Sequence, residues 1–177
     1  MHKRIVVSLA IWLVGAAQAQ TPDCQSLLAD LNQTLTQTQG LTRSLRVASG
    51  PFKIASNVTQ VSQDAAGLVF EVTQKSGRDF DPETAPSGLA SEEGWLGYID
   101  SSALSCEGHS LTKDDGRYVL ELVEADEDTD VEDFELTFVP DGETYLLEKL
   151  ELSIAPGTVP MRAKMTTTFS NWVMVSP

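Results

Sequence analysis

"FELTFVPDGETYLLEKLELSI", residues Phe134 to Ile154, decides the fold. Phe134, Leu136 and Phe138 alternate with Glu135 and Thr137, which gives one apolar and one polar side at a period of two. Asp141-Gly142 then supplies the residue pair of a tight hairpin turn. Tyr145 to Ile154 resumes the alternation, with Leu146, Leu150, Leu152 and Ile154 read on one side. Alternation on both flanks of such a turn predicts two antiparallel strands that share a buried face.

The same pattern extends in both directions. Tyr118, Leu120 and Leu122 share a face after the turn Asp114-Asp115-Gly116. Downstream, Pro156-Gly157 turns the chain into Met161 to Val175, with Met161, Ala163, Met165, Thr167, Phe169 and Val173 on one face. Upstream, Leu45 and Val47 lead through Gly50-Pro51 to Phe52, Ile54 and Val58. The turn Asp64-Ala65-Ala66-Gly67 then opens a strand in which Leu68, Phe70 and Val72 share a face. Lys75 to Ala90 is rich in Gly, Pro, Ser and Asp and reads as a long loop. Trp95, Leu96, Tyr98 and Ile99 suggest a short helix opened by Ser91, though Gly94 and Gly97 weaken it.

One segment has helical spacing instead. Cys24, Leu28, Leu31 and Leu35 form a stripe with Leu27 beside it; Thr21 is read as N-cap, Pro22 as the first helical residue and Gly40 as the stop. A helix followed by a meander of strands predicts an α+β fold: a curved, half-barrel-like antiparallel sheet with the N-terminal helix packed on it. Cys24 and Cys106 are predicted to pair as one disulfide that pins the helix to the core.

His2-Lys3-Arg4, the apolar run Ile5 to Ala16 and the small-residue site Ala17-Gln18-Ala19 have the anatomy of a cleaved secretory signal peptide. Residues 1–19 are therefore set aside and residues 20–177 are read as a single domain, periplasmic or secreted, with no membrane span. The formal net charge of −14 argues against nucleic acid or anionic lipid headgroups as partners, because both would be repelled.

Sites of chemistry are sparse. His109 is the one histidine beyond the signal segment and stands in a loop-like stretch. Ser110 to Lys113 matches S-x-x-K, but neither S-D-N nor K-T-G accompanies it. Asn32 and Asn57 head glycosylation sequons, which matter only in a glycosylating host. The acidic run Glu124 to Glu135 starts like a calcium loop with Asp126, Asp128 and Asp130. Val131 stands where that loop needs Gly, and Thr137 where it needs Glu. It reads as a solvated turn between strands, with at most weak Ca²⁺ affinity at those three aspartates. No catalytic residues, no cofactor and no enzymatic activity are predicted.

The closing stretch carries a resemblance. Leu147-Glu148-Lys149-Leu150-Glu151-Leu152, followed by Met165-Thr166-Thr167-Thr168-Phe169-Ser170-Asn171-Trp172, is similar to the last strands of the LolA/LolB-type periplasmic half-barrel carriers. In that family a strand is followed by a Thr-rich strand ending in Phe-Ser-Asn or similar. The resemblance implies a concave apolar face for lipid or lipoprotein acyl chains, lined by Phe70, Leu120, Leu122, Phe138, Met165 and Phe169. Such a face would gain roughly 25 cal/mol per Å² of acyl surface buried. The family's lipoprotein-gripping Arg falls nearest to Arg43 and Arg46 by position. The expectation is an exported non-enzymatic carrier or sensor of an apolar ligand. The alternative is a protein–protein interaction module with a closed core and no ligand.

Overall fold

The alternating segments become strands of one sheet, and the segment of helical spacing becomes the helix that covers it. The computed structural model describes residues 21–77, 94–97, 104–122, 131–154 and 162–175. Helix α1 (Cys24–Gln37) runs without a loop into β1 (Thr38–Ser49), and β2 (Phe52–Asp64) and β3 (Gly67–Gly77) follow. After the connection come β4 (Ser110–Asp114), β5 (Arg117–Leu122), β6 (Val131–Asp141), β7 (Thr144–Ile154) and β8 (Ala163–Met174). The order across the sheet is β3-β2-β1-β8-β7-β6-β5-β4, with every neighbouring pair antiparallel. The edges β3 and β4 are not paired with each other, so the sheet stays open. The predicted α+β, half-barrel-like architecture with one helix is therefore present.

The helix starts later than the sequence pattern suggests. Asp23, not Thr21, is the N-cap: its carboxylate accepts from the Ser26 N–H at 2.8 Å, and Ser26 Oγ accepts from the Asp23 N–H at 2.9 Å. This reciprocal pair satisfies two donors that a hydroxyl at Thr21 could not reach, and it holds the Asp23 carboxyl below its ordinary range. The buried stripe is Cys24, Leu27, Leu31 and Thr34, with Leu28 and Leu35 half-buried on its flank. The helix ends at Gln37 instead of Gly40, because Thr38 turns to extended backbone while its hydroxyl donates to the Thr34 carbonyl at 2.7 Å. Asp30 accepts from the Tyr145 N–H at 3.2 Å and so ties the helix to β7.

Two β-bulges correct the predicted faces. On β7, Thr137 opposes Lys149 but Phe138 opposes Leu147, so Glu148 is an extra residue. The inserted residue shifts the alternation, which makes Leu147 fully buried and leaves Leu146 only partly so. Glu148 is free to meet Arg117 through two hydrogen bonds of 2.7 and 3.2 Å. On β8, Gly40 opposes Val173 but Thr42 opposes Ser170, and Asn171 takes a positive φ of 53°. Val173 is consequently 54% exposed, while Trp172 packs with its ring centroid 6.1 Å from that of Phe169. Met161 lies outside the described residues, as do Ser91, Tyr98 and Ile99.

Cys24 and Cys106 are bonded, with a Cα–Cα distance of 5.9 Å and a sequence separation of 82. A loop of that length closed in the unfolded chain corresponds to about 4 kcal/mol on the chain-entropy model. The bridge anchors the start of α1 to the connection between the two sheet edges. Leu27 and Leu31 of the helix join Leu120, Leu136, Phe138, Leu147, Leu150, Leu152 and Met165 in one contiguous core.

Candidate ligand-binding face

Cross-strand register sorts the side chains into an inner face, under the helix, and an outer face. On the inner face Leu41 opposes Val61, Arg43 opposes Thr59 and Phe169, Leu45 opposes Asn57, and Val47 opposes Met165. Further along, Met165 opposes Leu152, which opposes Phe134, and Leu136 opposes Leu120. Of the residues predicted to line a ligand, Leu120, Leu122, Phe138, Met165 and Phe169 come together in the buried core, at 0 to 8% exposure. Phe70 stands apart from them on the edge strand β3, 36% exposed, with Val72 beyond it at 53%.

Arg43 is the unexpected member of this face. It is 6% exposed on an otherwise largely apolar surface, where an unpartnered cation would be strongly disfavoured. Its guanidinium Nη1 donates to the Gly94 carbonyl at 3.2 Å, and its Cζ lies 5.7 Å from the Phe70 ring centroid. Gly97 closes over the same group: a Cβ there would fall 2.7 Å from Arg43 Nη1, and its φ of +85° also requires glycine. Residues 94–97 form a tight turn, with the Gly97 N–H donating to the Gly94 carbonyl at 3.1 Å, in place of the predicted helix. Leu96 of this turn is buried and Trp95 packs on the core. Residues 94–97 are thus fixed to the inner face by Arg43 together with the buried Leu96.

A polar strip runs along β2 next to Arg43. Thr59 is buried, and the Asn57 side-chain oxygen is buried with no hydrogen-bond partner among the described residues. Sequence spacing could not single out Asn57, because Thr and Ser recur on both faces of β1 and β2, whereas for Arg43 it held a signal. The usable signal was negative: an Arg in phase with Leu41, Leu45 and Val47 belongs to the buried side.

The outer face carries a charge lattice. Lys149 Nζ lies 3.1 Å from Glu135 and 2.7 Å from Glu151, and Lys164 Nζ lies 3.0 Å from Glu151. Burial opposes ionisation of Glu151, yet hydrogen bonds from Lys149, Lys164 and Thr166 bring its pKa down to about 2. Burial opposes the charged form of Lys149, yet its hydrogen bonds to Glu151 and Glu135 hold it above its ordinary value. Arg117 likewise keeps Glu148 below the usual carboxylate range.

The remaining motif residues have plain structural surroundings. Ser110 and Lys113 lie on strand β4, not on a helix; Ser110 donates to Glu121 at 2.8 Å and Lys113 sits 5.1 Å over the Tyr118 ring. His109 is exposed, with Nδ1 2.6 Å from the Cys106 carbonyl oxygen. Asp126, Asp128 and Asp130 lie outside the described residues. Their flanks are the paired strands β5 and β6, where Leu122 opposes Phe134. Among the described residues there is no group of three or more His, Cys, Asp or Glu side chains suited to a metal, and no helix long and apolar enough to cross a membrane. No known protein family matches the chain, and a search of curated proteins finds no significant match.

Proposed function

We propose that this protein is an exported, non-enzymatic carrier or sensor that takes an apolar, acyl-bearing ligand on the inner face of its sheet, in the manner of the LolA/LolB-type carriers. The observation that carries this reading is Arg43, a buried cation that holds the Gly94–Gly97 turn against that face. A guanidinium–carbonyl bond is a replaceable attachment: a polar group on an incoming ligand can take the place of the Gly94 carbonyl. The turn would then move aside and expose apolar surface around Leu45, Val47 and Phe169. Phe70 and Val72 would form the outer lip of the site. The Cys24–Cys106 bridge is compatible with the oxidising compartment that a cleaved signal peptide over residues 1–19 implies, periplasmic or secreted.

Native mass spectrometry of the protein purified from its own host tests the reading. A co-purifying lipid whose removal lowers the melting temperature is the expected result, and Arg43→Leu should alter the bound fraction. Protein without lipid, unchanged by exposure to acyl ligands, would overturn it. A second reading is favoured by the exposed apolar edge of β3, where Val69 and Val72 face solvent. There the protein would be an extracytoplasmic interaction module whose edge strand pairs with a partner chain and whose core stays closed.

A further inference from the structure

The outer face of β1, β2, β3 and β8 holds a groove of about 460 Å³ that is unlike the rest of this acidic protein. Arg46, Lys53 and Lys75 border it together with the hydroxyls of Ser44, Ser56 and Thr168, and among the described residues no carboxylate lines it. Register explains the convergence. Arg46 opposes Ser56 and Thr166, while Ser44 opposes Thr168 and Lys53 opposes Ala48. Arg46 and Lys53 are therefore diagonal neighbours on one face, roughly 7–8 Å apart at the backbone. Ser56 and Ser76 share a hydrogen bond of 3.1 Å in which either hydroxyl can donate, so one hydrogen remains for a ligand. Glu151, one strand further across, is already engaged by Lys149, Lys164 and Thr166.

The net charge of −14 repels anions on average, but an average does not describe a groove. At physiological salt, exposed charges beyond about 8–10 Å are largely screened, so the local set of groups decides. That set is three cationic side chains and several hydroxyl donors, the chemistry that matches a tetrahedral oxyanion. We propose that the groove binds a phosphate group between Arg46 and Lys53, carried either by a soluble phosphoester or by a lipid headgroup. The site lies on the opposite side of the sheet from Arg43, so it stands or falls independently of the carrier reading.

Titration of ¹⁵N-labelled protein with inorganic phosphate and with glycerol 3-phosphate tests it. Saturable amide shifts around Arg46, Ser56 and Thr168 are expected, weakened at least roughly tenfold in the Arg46→Ala/Lys53→Ala protein and by added salt. Both side chains are exposed, so the double variant should fold, and an unchanged melting curve confirms that. Co-sedimentation with phosphatidylcholine vesicles, with and without phosphatidylglycerol, separates the sources. Phosphatidylglycerol-dependent sedimentation lost in the double variant supports a headgroup, and phosphoester binding without sedimentation supports a soluble ligand. No saturable shift with either phosphate probe and no sedimentation, or equal binding by the double variant, would overturn the proposal.

Discussion

The two ends of the sheet are built on different terms. From β5 to β8 the inner face is covered by α1, and Leu120, Leu136, Phe138, Leu147, Leu150 and Leu152 are all fully buried. At the β3 end the same face carries Arg43, Thr59 and Asn57, and its outermost strand leaves Phe70 and Val72 in solvent. The first region is apolar, contiguous and stapled by the disulfide. The second is mixed, and its cover is the Gly94–Gly97 turn, which Arg43 helps to hold. One sheet thus joins an apolar, stapled half to a half of mixed polarity, the one to which the proposed ligand is assigned.

The sharpest way to break this contrast is Phe138→Ala, which opens a cavity in the stapled half. It should cost about 4 kcal/mol, read from urea unfolding. Replacing both Cys24 and Cys106 with serine should cost about 3 kcal/mol by the same assay, because the helix start and the crossing connection lose their shared anchor. Arg43→Leu tests the other half: losing the guanidinium's charge-assisted bond to the Gly94 carbonyl, which would keep only the Gly97 N–H, should cost about 2 kcal/mol. Faster hydrogen exchange should then be confined to residues 94–97 and their surroundings, and global exchange of α1 and β7 at the same rate would contradict the division.

Acidification probes the outer lattice. The folded pKa of Glu151, about 2, lies below its ordinary value of 4.5. Its contribution to stability is therefore complete above pH 4.5 and is lost as pH falls from 4.5 toward 2. Glu151→Gln should lower the melting temperature at pH 7, by a loss of about 1 kcal/mol, and should flatten the decline of stability between pH 5 and pH 2.5. Smallest of all, Val72→Thr on the exposed edge should change stability by less than about 0.5 kcal/mol. If ligand binding were lost with it while the melting curve stayed put, the lip assigned to β3 would gain direct support.

Local patterns carried most of the architecture. The alternation in β5 and β6 and the Asp-Gly turn before β7 follow from short-range spacing, and the disulfide from the presence of two cysteines in the chain. What escaped are features that sequence period cannot encode. A bulge at Glu148 moves Leu147 inward at Leu146's expense, and a left-handed Asn171 turns Val173 outward. β4 is a five-residue edge strand with the burial of one residue to mark it, too little for alternation to register. Arg43 was legible only as one of two candidate arginines, because its burial depends on a turn about fifty residues away in the chain. The helix cap at Asp23 instead of Thr21 agrees with residue preference, since Asp outranks Thr as an N-cap; reading Pro22 as the first helical residue placed the start two residues early.

The placement of β8 beside β1 has a consequence for how the chain acquires its structure. These two neighbouring strands come from near opposite ends of the described chain, with Arg43 opposite Phe169. Until residues 163–174 are available, β1 to β3 and β4 to β7 are two separate ribbons, each with an open flank. Closing so distant a pairing is entropically expensive and slow, so the native state should form late, after residues 163–174 have been made. Truncation before Ala163 should therefore yield aggregation-prone halves, not a smaller folded protein.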